Sequence, residues 1–282
     1  METIKDKEFG GERPLFGARN LRLENVTIHA GESALKCCAN IVADQCQFEG
    51  KYPFWHVDGF TIRNSTFTPG ARAALWYSRN LLMENTQVDA PKMFREMDGI
   101  KLRSVNIPDA EETLWHCHNV DIEDVNVAKA DYLFMHSSNI SIRRWRQDGN
   151  YSFQYCRNVE IHDAEINSKD AFWGTENVTV YDSVLNGEYL GWHSKRLTLV
   201  RCHISGTQPL CYTENLRLID CTFADDCDLA FEDSEVDAIV TTPIRSIKNP
   251  KAGRIVAPSV GEIIIDQHSK AVEPVEIITE NK

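Results

Sequence analysis

One short phrase recurs about every 20 residues along most of this chain: an asparagine, an apolar residue, any residue and a second apolar residue. The first copy is Asn20-Leu21-Arg22-Leu23, and successive copies are 19 to 21 residues apart. Copies begin at Asn20, Asn40, Gly59, Asn80, Gly99, Asn119, Asn139, Asn158, Asn177, Arg196 and Asn215. A period near 20 with no helical pattern is typical of a stacked solenoid. The repeat therefore constrains the fold far more than it constrains the function.

The residues inside each repeat predict strands and corners. Apolar residues alternate with exposed ones after the asparagine, which is the pattern of a strand. A second turn residue, such as Asn25 or Asp124, follows five places on, and a second short strand comes after it. A third strand is expected to end with Leu or Phe five residues before the next asparagine. Three strands and three corners per repeat predict an all-β parallel β-helix of about 11 to 13 coils.

The same repeat sets the expected domain organisation. We predict one β-helix domain over residues 1–266, in which 1–19 form an N-terminal cap or first coil. Residues 236–266 lose the asparagine but keep the apolar alternation, which indicates degenerate final coils. Residues 267–282 are predicted to be a polar C-terminal tail. Asparagine suits the corners because it tolerates left-handed backbone angles and its side chain bonds neighbouring backbone.

Net charge and composition narrow the classes of binding partner that this chain could have. The net charge of −12 argues against nucleic acid, whose binding depends on Lys and Arg contacts with phosphates. No run of 18 apolar residues occurs, so no membrane partner is expected. The N-terminus lacks a signal-peptide core, which predicts a cytoplasmic protein, although a secreted protein with its leader removed would look the same. The nine cysteines indicate no disulfide framework. Cys202 and Cys221 lie one coil apart at spacing that allows a disulfide, but free thiols are the expected state.

Aromatic residues concentrate on one face of the predicted coils. Five of the six tryptophans fall four residues before the repeat asparagine, and we call this position the Trp column: Trp55, Trp76, Trp115, Trp173 and Trp192. The preceding Leu or Phe points inward, so alternation turns the Trp column outward. Further aromatic and imidazole side chains flank it: Tyr52, Tyr132, Tyr151, Tyr189, His116 and His136. Exposed aromatic patches tend to be interaction sites, and this face is the predicted ligand-binding surface.

Two functions and one purely structural explanation are compatible with such a face. Aromatic rings in a row stack on the apolar faces of sugar rings, which favours binding of a carbohydrate or a similar elongated ligand. A protein partner or a second copy of the chain could instead cover the face, so an oligomer is an alternative. Like residues also stack between coils simply because they pack well. Cationic residues in the early coils would favour an anionic ligand at that end.

Several phrases of this face are more specific than a generic β-helix. They include Lys51-Tyr52-Pro53-Phe54-Trp55, Arg72-Ala73-Ala74-Leu75-Trp76-Tyr77, Ala90-Pro91-Lys92-Met93-Phe94-Arg95 and Gly187-Glu188-Tyr189-Leu190-Gly191-Trp192. Together they resemble bacterial domain-of-unknown-function family 3737 of the pectin-lyase-like superfamily, over nearly the whole chain. The resemblance implies a single-stranded right-handed parallel β-helix and implies no activity. Enzymes of that superfamily act mostly on polysaccharides, but fold analogy does not establish function.

Catalytic candidates on this face are few. Glycoside hydrolysis needs two carboxylates about 5 to 10 Å apart. Equivalent residues of adjacent coils are about 4.8 Å apart, and Asp170 and Glu188 lie in adjacent coils at nearly the same place, so they are the best acid/base pair. Elimination would instead use a base such as Lys92, a tyrosine or a histidine, with Arg95 stabilising the acidic intermediate. His116 and His136 could share a metal ion, but no third ligand is evident, so no metal or other cofactor is predicted.

Overall fold

The structure is a computed structural model that describes residues 1–271 and 274–280. Those residues divide into two compact units, Met1–Arg146 and Gln147–Lys282. Both units consist of short parallel strands joined by tight turns, and the described residues hold one turn of 3-10 helix, Pro69–Ala71. No helix within those described ranges is long and apolar enough to cross a membrane. The predicted parallel β-helix is confirmed.

The strands of the first unit follow the repeat. They are β1 (Glu2–Lys5), β2 (Glu8–Glu12), β3 (Arg19–Glu24), β4 (Thr27–Glu32), β5 (Ala39–Asp44), β6 (Gln47–Phe48), β7 (Asp58–Arg63), β8 (Thr66–Phe67), β9 (Arg79–Val88), β10 (Asp98–Ile107) and β11 (His118–Val127). Strand β12 (Ser138–Asp148) carries the chain into the second unit. β1 pairs with β3 and β2 pairs with β4, so the first 19 residues form a complete coil.

The strands of the second unit continue the pattern and then shorten. They are β13 (Arg157–His162), β14 (Glu165–Asn167), β15 (Glu176–Tyr181), β16 (Val184–Asn186), β17 (Lys195–Val200), β18 (His203–Ser205), β19 (Leu216–Phe223), β20 (Glu235–Val240), β21 (Ile244–Lys248), β22 (Ala252–Ala257), β23 (Val260–Ile264) and β24 (Glu276–Thr279). The described residues make about 15 turns, more than the 11 to 13 predicted. The coil before Asn20 and the coils after Asn215 lack the asparagine phrase, so the repeat undercounts them.

Strand register places equivalent residues of successive coils directly above one another. Ile41 of β5 aligns with Leu21 of β3 on one side and with Phe60 of β7 on the other. In the second unit, Val178 aligns with Val159 and with Leu197. Each apolar column therefore becomes a continuous core, because parallel strands lie about 4.8 Å apart.

The corner asparagines behave as their sequence position predicts. Asn20 and Asn40 have φ of 54° and 53°, in the left-handed region that Asn tolerates better than most residues. Asn40 Nδ2 donates to Asn20 Oδ1 at 2.7 Å, and Asn177 Nδ2 donates to Asn158 Oδ1 at 2.8 Å. Side-chain ladders thus connect the corners of successive coils.

The third side of each coil differs from the prediction, because it is a run of tight turns and not a third strand. Positive φ values alternate along it, as at Ser33 (61°), Leu35 (55°) and Cys37 (58°). Consecutive residues Ala34 and Leu35 are both buried, which the alternation of a strand forbids. Their backbone still bonds the neighbouring coils, since Leu35 N donates to Pro14 O and Phe54 N donates to Ala34 O. This turn side carries the Trp column.

Packed phenylalanines fill the core behind the turn side. In the first unit the Phe48 ring lies 5.0 Å from that of Phe54 and 4.8 Å from that of Phe67. In the second unit Phe153 and Phe172 stack at 5.7 Å. These closely packed rings fix the backbone that carries the outward residues.

The C-terminal end contains more structure than the tail expected over 267–282. Within it, β24 pairs in parallel with β22, and Ile277 aligns with Ile255. Part of that predicted tail, residues 272–273 and 281–282, lies outside the described residues. In the degenerate coils Ile263 and Ile265 are exposed, so the alternation seen in the sequence does not bury them.

Candidate ligand-binding site

The tryptophans of the first unit point outward as predicted, but they are held in place by the coil itself. Trp55, Trp76 and Trp115 are half-buried. Trp55 Nε1 donates to Ala73 O at 2.6 Å, and Trp76 Nε1 donates to Lys92 O at 2.7 Å. Trp115 Nε1 likewise donates to the backbone oxygen of Tyr132. Each indole N–H therefore satisfies a turn carbonyl one coil away, which is a structural use of the side chain.

The faces of these rings are also occupied. Trp55 and Trp76 stack at 5.3 Å with planes 9° apart. The Arg95 guanidinium lies between Trp76 and Trp115, 4.3 and 4.4 Å from their ring centres. Lys36 lies 5.4 Å from the centre of the Trp55 ring. Cation–π and ring–ring contacts thus cover faces that a sugar would need for stacking.

The remaining first-unit candidates also have protein partners. Lys92 Nζ is 3.1 Å from Glu112 Oε2, and Arg95 is 3.4 Å from the same oxygen. His116 and His136 stack at 5.2 Å with exposed edges. Tyr52 packs against Trp55 at 5.1 Å, and the Tyr132 side chain is exposed. Lys92 is therefore ion-paired with Glu112, and an ion-paired ammonium group is poorly suited to act as a general base.

The second unit, in contrast, contains a pocket on its turn side, which we call the Asp170 pocket. It has a volume of about 680 Å³ and is lined by Tyr151, Lys169, Asp170, Trp173, Tyr189, Trp192, Gln208, Tyr212, Glu232 and Lys248. This volume lies within the range of small-molecule sites. Four of the predicted ligand-binding residues line this pocket: Tyr151, Trp173, Tyr189 and Trp192.

Coil stacking explains how these residues come together. Asp170 N donates to Glu188 O, Tyr189 N donates to Thr207 O, and Gln208 N donates to Asp228 O. Residues Asp170, Tyr189 and Gln208 occupy the same turn position in successive coils, each with positive φ. One column of the pocket wall is therefore built by equivalent residues at the spacing of the coils.

Trp173 and Trp192 stack on each other as Trp55 and Trp76 do, but they differ in their indole N–H groups. Their rings stack at 5.2 Å with planes 21° apart, and Tyr189 packs against Trp192 at 6.0 Å. No hydrogen bond from either indole N–H is formed to the described residues. Both donors stay available to a ligand in the pocket.

Asp170 is the most unusual side chain of the pocket. It is 3% exposed, and its Oδ1 has no hydrogen-bond partner among the described residues. Burial raises the pKa of the Asp170 carboxyl, the charge of Glu188 raises it further, and Lys169 opposes the shift. Glu188 itself is exposed, lies 3.7 Å from Lys169 Nζ and is not part of the pocket lining. The structure therefore separates the environments of the two predicted carboxylates.

A second carboxylate, Glu232, lines the pocket and was not among the predicted site residues. Lys248 Nζ lies 2.8 Å from Glu232 Oε1, and Gln208 Nε2 donates to Glu232 Oε2 at 2.8 Å. The ion pair raises the pKa of Lys248. Glu232 occupies the Trp column, so its position was visible in the sequence. Lys248 lies in the degenerate coils, where the loss of the repeat hides its alignment.

Cysteines and metal-binding groups add no further site. All nine cysteines are free within the described residues, and Cys202 and Cys221 are both buried. The Cys221 thiol raises the pKa of Cys202 by hydrogen bonding to it, and burial raises it further. Burial raises the pKa of Cys211 to about 12, with Glu232 adding to the shift. The part of the chain that is described has no cluster of three or more metal-ligating side chains.

The fold and the pocket define a parallel β-solenoid with an aromatic-lined pocket. The chain belongs to the family described as "Protein of unknown function (DUF3737)", whose model matches residues 2–278. No curated protein matches the chain.

Solved structures with a related fold are distant. PfbA, a surface adhesin of Streptococcus pneumoniae, has a TM-score of 0.39 and 10% identity, over 94% of this chain and 84% of that one. The A-module of the Azotobacter vinelandii mannuronan C-5 epimerase AlgE6 has a TM-score of 0.30 and 11% identity, over 98% and 79%. The catalytic domain of a GH87 alpha-1,3-glucanase, solved with nigerose, has a TM-score of 0.30 and 8% identity, and this chain covers 63% of it. Such low scores carry no functional information.

Proposed function

We propose that this protein binds a saccharide in the Asp170 pocket of its second unit. The observation that carries the proposal is a cavity of about 680 Å³ whose lining combines five aromatic side chains with carboxylates, an amide and two lysines. Apolar ring faces with a few convergent polar groups are the usual composition of a small-molecule site. The flat aromatic surfaces suit the apolar faces of sugar rings, and the polar groups suit their hydroxyls.

The contrast between the two units supports this location. In the first unit the indole N–H groups bond turn carbonyls of the next coil. In the second unit Trp173 and Trp192 line an open cavity and keep their N–H donors. We therefore assign ligand binding on the predicted aromatic surface chiefly to Trp173 and Trp192, and a structural role to Trp55, Trp76 and Trp115.

Intrinsic tryptophan fluorescence against a panel of neutral, acidic and amino oligosaccharides tests the proposal. We expect a saturable change with at least one compound, because two of the six tryptophans line the pocket. Trp192→Ala is expected to weaken that binding about tenfold or more, as for a central aromatic contact. Trp76→Phe is the matched control, because it alters a tryptophan outside the pocket. The proposal would be contradicted if no compound of the panel changed the fluorescence of the folded protein, or if both variants lost affinity equally.

An enzyme acting on polysaccharide is the second candidate, favoured by the buried Asp170. A carboxyl whose pKa is raised by burial can serve as a general acid, and Glu232 provides a second carboxylate in the same pocket. A saccharide that binds should then be cleaved, and Asp170→Asn should abolish turnover while binding persists. Turnover unchanged in Asp170→Asn would remove this candidate.

Two further expectations from the sequence stay predictions. A protein-interaction or self-assembling solenoid predicts that a charged substitution at Trp173 alters the oligomeric state seen by light scattering. A cytoplasmic location is compatible with nine free thiols, since reducing compartments keep cysteines unpaired.

A further inference from the structure

Asp170 has a buried carboxylate oxygen without a hydrogen-bond donor in the described part of the chain, and this feature indicates the chemical class of ligand that the pocket binds. Its side chain is 3% exposed and its Oδ1 accepts no hydrogen bond from the described residues. A buried carboxylate oxygen without a donor costs free energy unless a partner arrives. Because Asp170 lines the pocket, that partner can be a ligand.

The other charged groups of the pocket are already engaged with one another. Lys248 is paired with Glu232 at 2.8 Å, and Gln208 donates its amide to the same carboxylate. Lys169 faces Glu188 at 3.7 Å, and its Nζ lies 5.5 Å from the centre of the Tyr189 ring. The lining contains two lysines and two carboxylates, and Glu188 outside the lining pairs with Lys169. When Glu188 is included, the group carries one excess negative charge, and with the two ion pairs counted as neutral this charge belongs to Asp170.

The aromatic walls add a second attraction for positive charge. Trp173, Trp192 and Tyr189 pack against one another, and Tyr151 and Tyr212 complete the aromatic lining. Aromatic faces attract cations, with Trp the strongest of them. A carboxylate within an aromatic lining favours an ammonium group over a neutral hydroxyl, since a hydroxyl supplies a hydrogen bond but leaves the charge uncompensated.

We propose that the Asp170 pocket is an ammonium subsite that holds the free amino group of an amino sugar against the Asp170 carboxylate and the aromatic lining of the pocket. This inference rests on the proposed saccharide function and specifies its substrate class. The ammonium group compensates the charge of the Asp170 carboxylate, and the sugar ring packs on the aromatic wall. N-acetylation of the amine removes its positive charge and is expected to remove the preference.

Protonation of Asp170 gives the proposal a pH signature. Lys169, Glu188, Glu232 and Lys248 are the charged groups around it. Burial raises the pKa of the Asp170 carboxyl in the free protein, and a bound cation favours the ionised form. Binding of an amino sugar should therefore weaken as the pH falls through that raised pKa.

Isothermal titration of the full chain with a glucosamine tetrasaccharide, its fully N-acetylated form, a neutral glucose tetrasaccharide and tetramethylammonium tests this subsite. We expect the glucosamine compound to bind about tenfold or more tightly than the two neutral tetrasaccharides, which is the size of effect expected of a charge partner. In Asp170→Asn that preference should disappear, and in Asp225→Asn, an exposed carboxylate outside the pocket, it should persist.

The other outcomes separate the two proposals. Equal affinity for the three tetrasaccharides, lost in Trp192→Ala, would overturn the ammonium subsite and leave the saccharide function standing. Binding of tetramethylammonium alone, with no tetrasaccharide bound, would overturn the amino sugar and the saccharide function together. A preference for glucosamine that survives in folded Asp170→Asn would overturn the assignment to Asp170.

Discussion

Trp76→Ala tests whether the first-unit tryptophans hold the solenoid together. The substitution removes the indole N–H that donates to Lys92 O at 2.7 Å, the stack with Trp55 at 5.3 Å and the Arg95 contact at 4.3 Å. Each of these contributes about 1 kcal/mol at a half-buried site. The free energy of unfolding should consequently fall by about 3 kcal/mol, which is large for a residue that the repeat pattern places on the outer face.

Guanidinium unfolding followed by circular dichroism measures this loss, provided the m-value of the variant matches that of the parent. Trp76→Phe keeps a ring between Trp55 and Arg95 but loses the N–H donor, so it should lose only about 1 kcal/mol. Both variants should keep the saccharide affinity of the parent, because Trp76 is not part of the Asp170 pocket. A loss below about 1 kcal/mol in Trp76→Ala at unchanged m-value would refute the structural role.

Four further results are expected. Asp170→Asn should raise the thermal midpoint of unfolding at pH 7 but not at pH 3. Burial raises the pKa of Asp170, so the ionised carboxyl destabilises the fold at pH 7, and this destabilisation is lost as the pH falls through the raised pKa. An equal gain in midpoint at both pH values would contradict the burial argument. Gly206→Ala should lower stability by more than about 2 kcal/mol, since φ is 105° and an added Cβ would lie 2.4 Å from Gly187 O; a neutral melting curve would count against this. Asn40→Ala should cost about 1 to 2 kcal/mol and Asn40→Gly less, because φ is 53° and only the alanine is strained there; the reverse order in urea unfolding would be inconsistent with a left-handed corner. A thiol reagent should label one of the nine cysteines in the native protein, exposed Cys37, and none in Cys37→Ser; rapid labelling of a second thiol would show that a buried cysteine is accessible.

Much of the fold was predictable because the sequence repeats once in each coil. Asn20 and Asn40 mark corners, and Leu21, Ile41 and Phe60 align in the structure as their spacing requires. The third side of the coil was not predictable as a strand. Buried neighbours such as Ala34 and Leu35 require alternating backbone handedness, and a period-2 pattern cannot express that arrangement.

The candidate site was only partly predictable. The Trp column places Trp173 and Trp192 on the surface that contains the Asp170 pocket, and Tyr151, Asp170 and Tyr189 lie in the turn that precedes this column. The same column gave equal weight to Trp76, whose N–H and ring faces are already used within the coil. A repeat alignment reports which side chains share a column but not which of them have satisfied one another.

The sequence by itself determined the period, the corners and the outward position of the aromatic column, because each depends on local backbone preference and on the spacing between coils. Only the tertiary structure decided which part of that column forms a pocket. The pocket depends on the hydrogen bond from Gln208 to Glu232 and on the ion pair between Glu232 and Lys248. It also depends on the burial of Asp170, whose Oδ1 has no partner among the described residues. Such contacts arise between side chains of neighbouring coils, where burial and charge compensation, and not local pattern, set the chemistry.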